Sequence, residues 1–591
     1  MMMSIIAIVI VAVIAYLQAI RGFFSSMINL ICVVAAGAIA FGLWETVAYA
    51  LLERAPTSGF LSFISSNAWG IALAGTFGIS LAILRIAFDS IVRGNAEAPA
   101  VPQFVGGLIC GVGAGVISAG VFVQSAMMLR VSPTFMGYER LAVGDGSVGG
   151  SIQRNKKLIL PVDDITAALY GSLSEGTFAS STSLAAYQPD LADAHGGLRM
   201  SESGGKARNT LAPDDFSLSS WYTVGKGAQT NPNTLLTDGW NDIPQRVHTL
   251  TGEPAKAGDY IAGFAVKFNA GAREKSGQIV MGPGQVRLVV ERGSERQAIF
   301  PIAVVAQSEA ATQEAARFRF DAPFHVASVG GGSSPTMAFE FLVPSGFEAK
   351  SLYVRNIRAN LSNDRTEYPA VAARDGAIRG GTITASAATA APLDNSEAQT
   401  AETTNQRGGS NSDSGISVSN NIGRTLQKGT HTPLELNENS QIVNGYKKFD
   451  ASILSGNRAL ERALRIDKFA VTPDTVMVQV DVSASSKSSI LGRAVAAAQA
   501  LGAPALIDSN GTRYEAVGYI YRDRDFYEIK YTPGEPVRAI TELPPLSRSR
   551  PDQQLTLLFR PSFGVEITSF AVGNRVVTEY SPAISLDRSQ R

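Results

Sequence analysis

The stretch FVGGLICGVGAGVISAG, residues 104–120, decides how the first part of this chain is built. It carries no charge, and with the residues up to Leu129 it exceeds the roughly 20 apolar residues that a helix needs to cross a hydrocarbon core of about 30 Å. Gly107, Gly111 and Gly115 recur every fourth residue. That spacing sets small residues in one row on a helix, so a second backbone can come close where lipid supplies no hydrophobic drive. Three further apolar segments precede it, from Ser4 to Ile20, from Phe23 to Ala50 and from Trp69 to Phe88, each long enough to span. The third carries Gly70, Ala74 and Gly78 at the same spacing.

Charge is distributed accordingly. The chain has 591 residues, 51 basic and 51 acidic. Residues 1–130 hold Arg21, Glu45, Glu53, Arg54, Arg85, Asp89, Arg93, Glu97 and Arg130, and the first lysine is Lys156. A formal net charge of zero gives no basic excess for phosphate binding, so nucleic acid is not an expected partner. Cys32 and Cys110 are the only cysteines and both lie in apolar runs, which excludes a disulfide scaffold or a thiolate zinc site after residue 130. Basic residues in short loops stay on the cytoplasmic side. Arg21 follows the first span, and Arg85 and Arg93 close the third, against Arg54 alone between the second and third. The expected topology puts everything after Leu129 outside the cytoplasm.

Four spans, the turn Arg21-Gly22-Phe23 after the first, the continuing FFSSMINLICVVAAGAIA and the glycine-rich fourth span together resemble the colicin V production protein family. The resemblance covers about residues 4–130. An acidic-basic pair common before the family's last span is replaced here by Pro102-Gln103. It implies a multi-pass protein of the bacterial cytoplasmic membrane, involved in toxin production or export and in cell-envelope homeostasis, with no enzymatic activity. Some proteins with such a four-span region carry a trypsin-like domain outside the membrane. GDGSVGG, residues 144–150, is a damaged form of that nucleophile motif, but His195, His248, His325 and His431 all follow Ser147, the wrong order for that triad.

Beyond Leu129 the pattern changes to short alternating runs broken by Gly, Ser, Pro and Asn, the signature of β-sheet and loops. Residues 131–255 read as a connector and loop-rich subdomain, with a helix from Pro161 to Gly176. An internal duplication organises the rest. RLVVERGSERQAIFPIAVV (residues 287–305) matches PALIDSNGTRYEAVGYIYR (504–522), each a strand, a turn at Gly293 or Gly511 and a second strand. FEFLVPSGFEAKSLYVRN (339–356) matches LLFRPSFGVEITSFAVGN (557–574). Two β-sandwich domains are expected, over 256–360 and 467–582. Residues 361–466 read as a flexible linker, poor in large apolar side chains over 376–432, with a short helix at 450–465.

Few residues of the chain form a motif that carries chemistry. Gly144, Gly146 and Gly149 fit a dinucleotide glycine pattern without its strand and helix context, and no P-loop occurs. The histidines are too far apart for a metal site, and Asp163-Asp164 and Asp214-Asp215 read as helix or turn caps. No catalytic, cofactor-binding or metal residues are assigned and no cofactor is expected. The partners expected are the lipid bilayer and other envelope proteins or a second copy. An oligomeric transporter or channel component, and a membrane-anchored periplasmic hydrolase, are the alternatives.

Overall fold

The computed structural model describes residues 2–56, 61–92, 99–132, 134–143, 152–154, 157–176, 184–200, 208–227, 249, 252–253, 255–320, 325–328, 334–362, 364–384, 393–396, 398–403, 415–451, 461–491 and 502–587. Four helices are long and apolar enough to cross a membrane: α1 (Met2–Arg21), α2 (Phe23–Arg54), α4 (Ala68–Ile91) and α5 (Ala100–Met127). The short α3 (Ser62–Ser66) precedes α4. Only Gly22 separates α1 from α2. Its φ of 88° is a left-handed conformation open to glycine, so the chain reverses within one residue at Arg21-Gly22-Phe23.

Three helices follow, α6 (Val162–Glu175), α7 (Leu184–Tyr187) and α8 (Leu191–Gly197). The first is the helix expected from Pro161 to Gly176. Two β regions then repeat one strand order. The first contains β1 (Tyr260–Phe268), β2 (Val286–Arg292), β3 (Glu295–Ile299), β4 (Ala303–Gln307), β5 (Ala315–Arg319), β6 (Thr336–Val343), β7 (Glu348–Val354) and β8 (Ile357–Asn360). The second contains β9 (Val478–Asp481), β10 (Pro504–Asp508), β11 (Arg513–Glu515), β12 (Gly518–Arg522), β13 (Phe526–Tyr531), β14 (Gln554–Phe559), β15 (Glu566–Val572) and β16 (Arg575–Ser585). In the first, neighbours run β1-β6-β4-β5 in one sheet and β8-β7-β2-β3 in the other; in the second they run β9-β14-β12-β13 and β16-β15-β10-β11. Every pairing within these four rows is antiparallel. The paired sheets of each region share a core. Phe264, Phe339, Leu288 and Leu352 meet in the first, and Val480, Leu557, Leu506 and Phe570 in the second.

Both regions extend past the expected limits. Residues Phe216–Val224 pair with β1, and Thr366–Tyr368 lie parallel beside them. Helix α9 (Val371–Arg379) covers the other face of this sheet through Val371 and Ile378. That face also buries Glu340, which accepts from Tyr222 at 2.8 Å and from Arg317 and Arg374. Burial opposes its charge, but the two guanidiniums win and its pKa falls to about 2.

The expectation of a linker over 361–466 is corrected in its described parts. Gln399–Glu402 adds to β16, Ile416–Val418 to β9 and Ile442–Asp450 to β13. Strands added at the margin of a sheet are held by backbone hydrogen bonds and need few large side chains; here Ala401, Ile416 and Phe449 are buried anchors. The helix expected at 450–465 falls mostly outside the described residues. The two β regions touch directly: Arg560 donates to the Ser276 carbonyl at 2.5 Å, and Asn510 donates to that of Ala311 at 2.7 Å.

Candidate functional site

The glycines of α5 form a track for α1. A Cβ on Gly107 would lie 2.9 Å from the Gln18 carbonyl oxygen, one on Gly111 2.8 Å from the Ala15 Cα, and one on Gly115 2.9 Å from the Val11 Cα. On α4, Gly70 is pressed against the Ser125 carbonyl of α5, whereas a Cβ on Gly78 would meet no other element within 4 Å among the described residues. The buried side of α4 runs through Trp69 and Leu73 towards Phe77, and Gly78 stands off it.

Where α2 and α4 leave the bundle, aromatic rings gather: Trp44 meets Trp69 edge-on at 5.4 Å and His195 of α8 at 5.1 Å. The apolar core continues from Trp44, Trp69 and Met128 through Leu191 and Leu198 into Val286, Leu288 and Val354. A polar chain runs beside it. Gln188 donates to Glu45 of α2 at 2.8 Å and accepts from Arg287 of β2, which also donates to Asn356 at 2.7 Å. His195 is fully buried and neither ring nitrogen has a hydrogen-bond partner among the described residues. Burial, with Arg287 and Arg140 nearby, holds its pKa well below the usual imidazole range.

On the outer side of α8 a second network centres on Arg140. Its guanidinium donates to Asp193 at 2.6 Å and to Asp163 and Asp164 at 2.7 Å each. Burial weakens this cation, but the carboxylates outweigh it and raise its pKa above the ordinary arginine value. Tyr138 donates to Asp163 at 2.7 Å and Arg154 to Asp193 at 2.8 Å. The reading of Asp163-Asp164 as caps is therefore corrected: neither caps α6, and both serve Arg140. Asp215 does accept from the Ala212 N–H at 2.7 Å, as a turn cap should.

A cleft of about 440 Å³ opens beside this network, between α6 and the segment leading into α8. Arg140, Arg154, Lys157 and Arg296 face four carboxylates there, among them Asp193 and Glu175. Such a balanced lining suits a polar or zwitterionic group. No group of three His, Cys, Asp or Glu able to hold a metal ion occurs among the described residues. His325 sits between the Phe318 and Phe320 rings, and GDGSVGG lies outside the described residues.

The chain matches no family model, no curated protein and no solved structure. Sequence reasoning missed the Arg140 network and the Gln188 bridge. The one available signal was the pairing of Asp163-Asp164 with an unexplained Arg140 just after the fourth span.

Proposed function

We propose that this is a non-enzymatic integral membrane protein, resembling the colicin V production family, whose two β-sandwich domains form a rigid extracytoplasmic platform for other envelope components. The observation that carries this reading is the unbroken core from Trp44 and Trp69 into Val286 and Leu288, clamped by Glu45, Gln188 and Arg287. A tethered module needs no such junction; a platform whose orientation matters does. The backbone N–H of Met3 donates to Met136 at 3.0 Å, so the start of α1 lies on the side of the β regions. Arg21 and Arg85 stand at the other end of the bundle, and cytoplasmic retention of these cations supports an external platform in the inner membrane.

A reporter that works only outside the cytoplasm, fused after Arg591, is expected to be active. Activity of a cytoplasmic reporter at the same position would reverse the topology. Crosslinking in living cells from exposed β-region positions should capture envelope proteins, and liposomes holding the pure protein should pass no solute. Specific flux would sink the binding reading in favour of transport.

A further inference from the structure

We infer that α6 is an interfacial helix: it lies in the outer half of the bilayer across α5 and α2, and its outward face is a lipid-contact surface. This rests on the reading that the four long helices span the membrane. The depth scale comes from α1, whose 20 residues extend about 30 Å at 1.5 Å per residue, the thickness of a hydrocarbon core. Val11 lies at its middle and touches Gly115, so the midplane crosses α5 near Gly115. Gly120 is then about 7.5 Å, and Gln124 about 13.5 Å, towards the β regions by the same rise.

Helix α6 packs across α5 and α2 within this interval. Gln124 donates its side-chain amide to the Asp163 carbonyl at 3.0 Å. One turn deeper, Gly120 leaves room for Thr166 and the Val162 carbonyl, and a Cβ there would collide with both. Leu30 of α2 sits against Gly113, so α2 and α5 are in step and Gly37 stands level with Gly120. Gly37 in turn leaves room for the phenol of Tyr170, whose hydroxyl donates to the Val34 carbonyl at 3.1 Å. Val162, Thr166 and Tyr170 thus meet the bundle at one level, and residues 162–170 lie across α5 and α2 between about 7.5 and 13.5 Å from the midplane, inside the outer half of the hydrocarbon core.

The three sides of α6 fit that place. Val162, Thr166 and Tyr170 pack on the bundle. Ala167, Gly171 and Glu175 line the cleft, which keeps the Glu175 carboxylate hydrated, as a polar group at membrane depth requires. Ile165, 43% exposed, and exposed Ser172, whose hydroxyl donates to the Ala168 carbonyl at 2.9 Å, face outward, and half-buried Leu169 beside them also packs on the core. A helix of 14 residues is too short to span and has the length of an interfacial segment.

The test uses the full chain in nanodiscs, with Cys32→Ala and Cys110→Ala and single spin labels at Ile165→Cys, at Ile83→Cys on the exposed side of α4, and at Glu295→Cys in the first β region. The Ile165 label should collide with oxygen more than with an aqueous nickel chelate, as at Ile83 and opposite to Glu295. An aqueous Ile165 with a lipidic Ile83 overturns the interfacial helix alone; an aqueous Ile83 overturns the spanning reading and this inference with it. The unlabelled chain gives a second readout. A phospholipid with a photoreactive acyl chain should mark residues 162–172, and adducts on α4 without any on α6 would refute the proposal.

Discussion

The side-chain amide of Gln188 donates to the Glu45 carboxylate at 2.8 Å, joining residues 143 positions apart in the chain. Through the same side chain Gln188 also accepts from the buried Arg287, so one residue holds a membrane helix to a β-strand. Gln188→Leu should take the amide donor from Glu45 and one of two side-chain acceptors from Arg287, and a buried polar group left without its hydrogen bond costs about 1–3 kcal/mol. Thermal unfolding in detergent should show that loss, and an unchanged midpoint would mean that the core alone fixes the junction.

Backbone proximity makes a second expectation. Gly115→Val would drive its side chain into the Val11 backbone, and overpacking of this kind costs about 1–3 kcal/mol. Gly78→Ala, with open space around it, should cost nothing by the same assay and gain slightly in helix propensity.

His195 sets a pH dependence. Its pKa in the folded chain lies well below 6.5, the value of a free imidazole, so below that pH the unfolded chain binds the extra proton first. Stability is therefore full above about pH 6.5 and falls as the pH drops, by up to about 1.4 kcal/mol per unit. Unfolding midpoints measured from pH 7.5 downwards should decline for the native chain, and His195→Leu should flatten that decline between roughly pH 6.5 and 5.

Arg140→Ala should be the most damaging change near the cleft. Asp163 and Asp193 keep only 1% and 6% side-chain exposure, and they would lose their common cation. Removing one partner of a buried ion pair costs about 3–5 kcal/mol, and the 14% exposure of Arg140 places the expected loss at the lower end. Hydrogen exchange across 162–198 should rise in this variant while β9–β16 stay protected.

The apolar runs made the four long helices legible, because a span is encoded locally by length and lack of charge. The repeat was legible for a similar reason: the turn at Gly293 and its counterpart Gly511, both at positive φ, sit between strands that pair at once. What stayed hidden depends on partners far along the chain. Nothing near Tyr170 announces that its ring fills the space above Gly37, and nothing near Gln188 names Glu45. Composition misled over Gln399–Glu402, whose place at the edge of a sheet rests on main-chain pairing with β16 and on Ala401 alone among large or small apolar side chains.

The closeness of α1 to α5 carries a consequence for how the protein is made. Ala15 and Gly111, which touch backbone to backbone, are 96 residues apart in order of synthesis. At roughly 5–20 residues per second, α1 waits on the order of 5–20 s in the bilayer before its partner leaves the ribosome. During that interval buried Gln18 has no helix to cover it except α2, whose Ser26 already bonds the Gln18 carbonyl at 2.6 Å. The α1–α2 hairpin at Gly22 is thus complete in sequence before α5 is made, and α5 is the helix that supplies the remaining close contacts of α1.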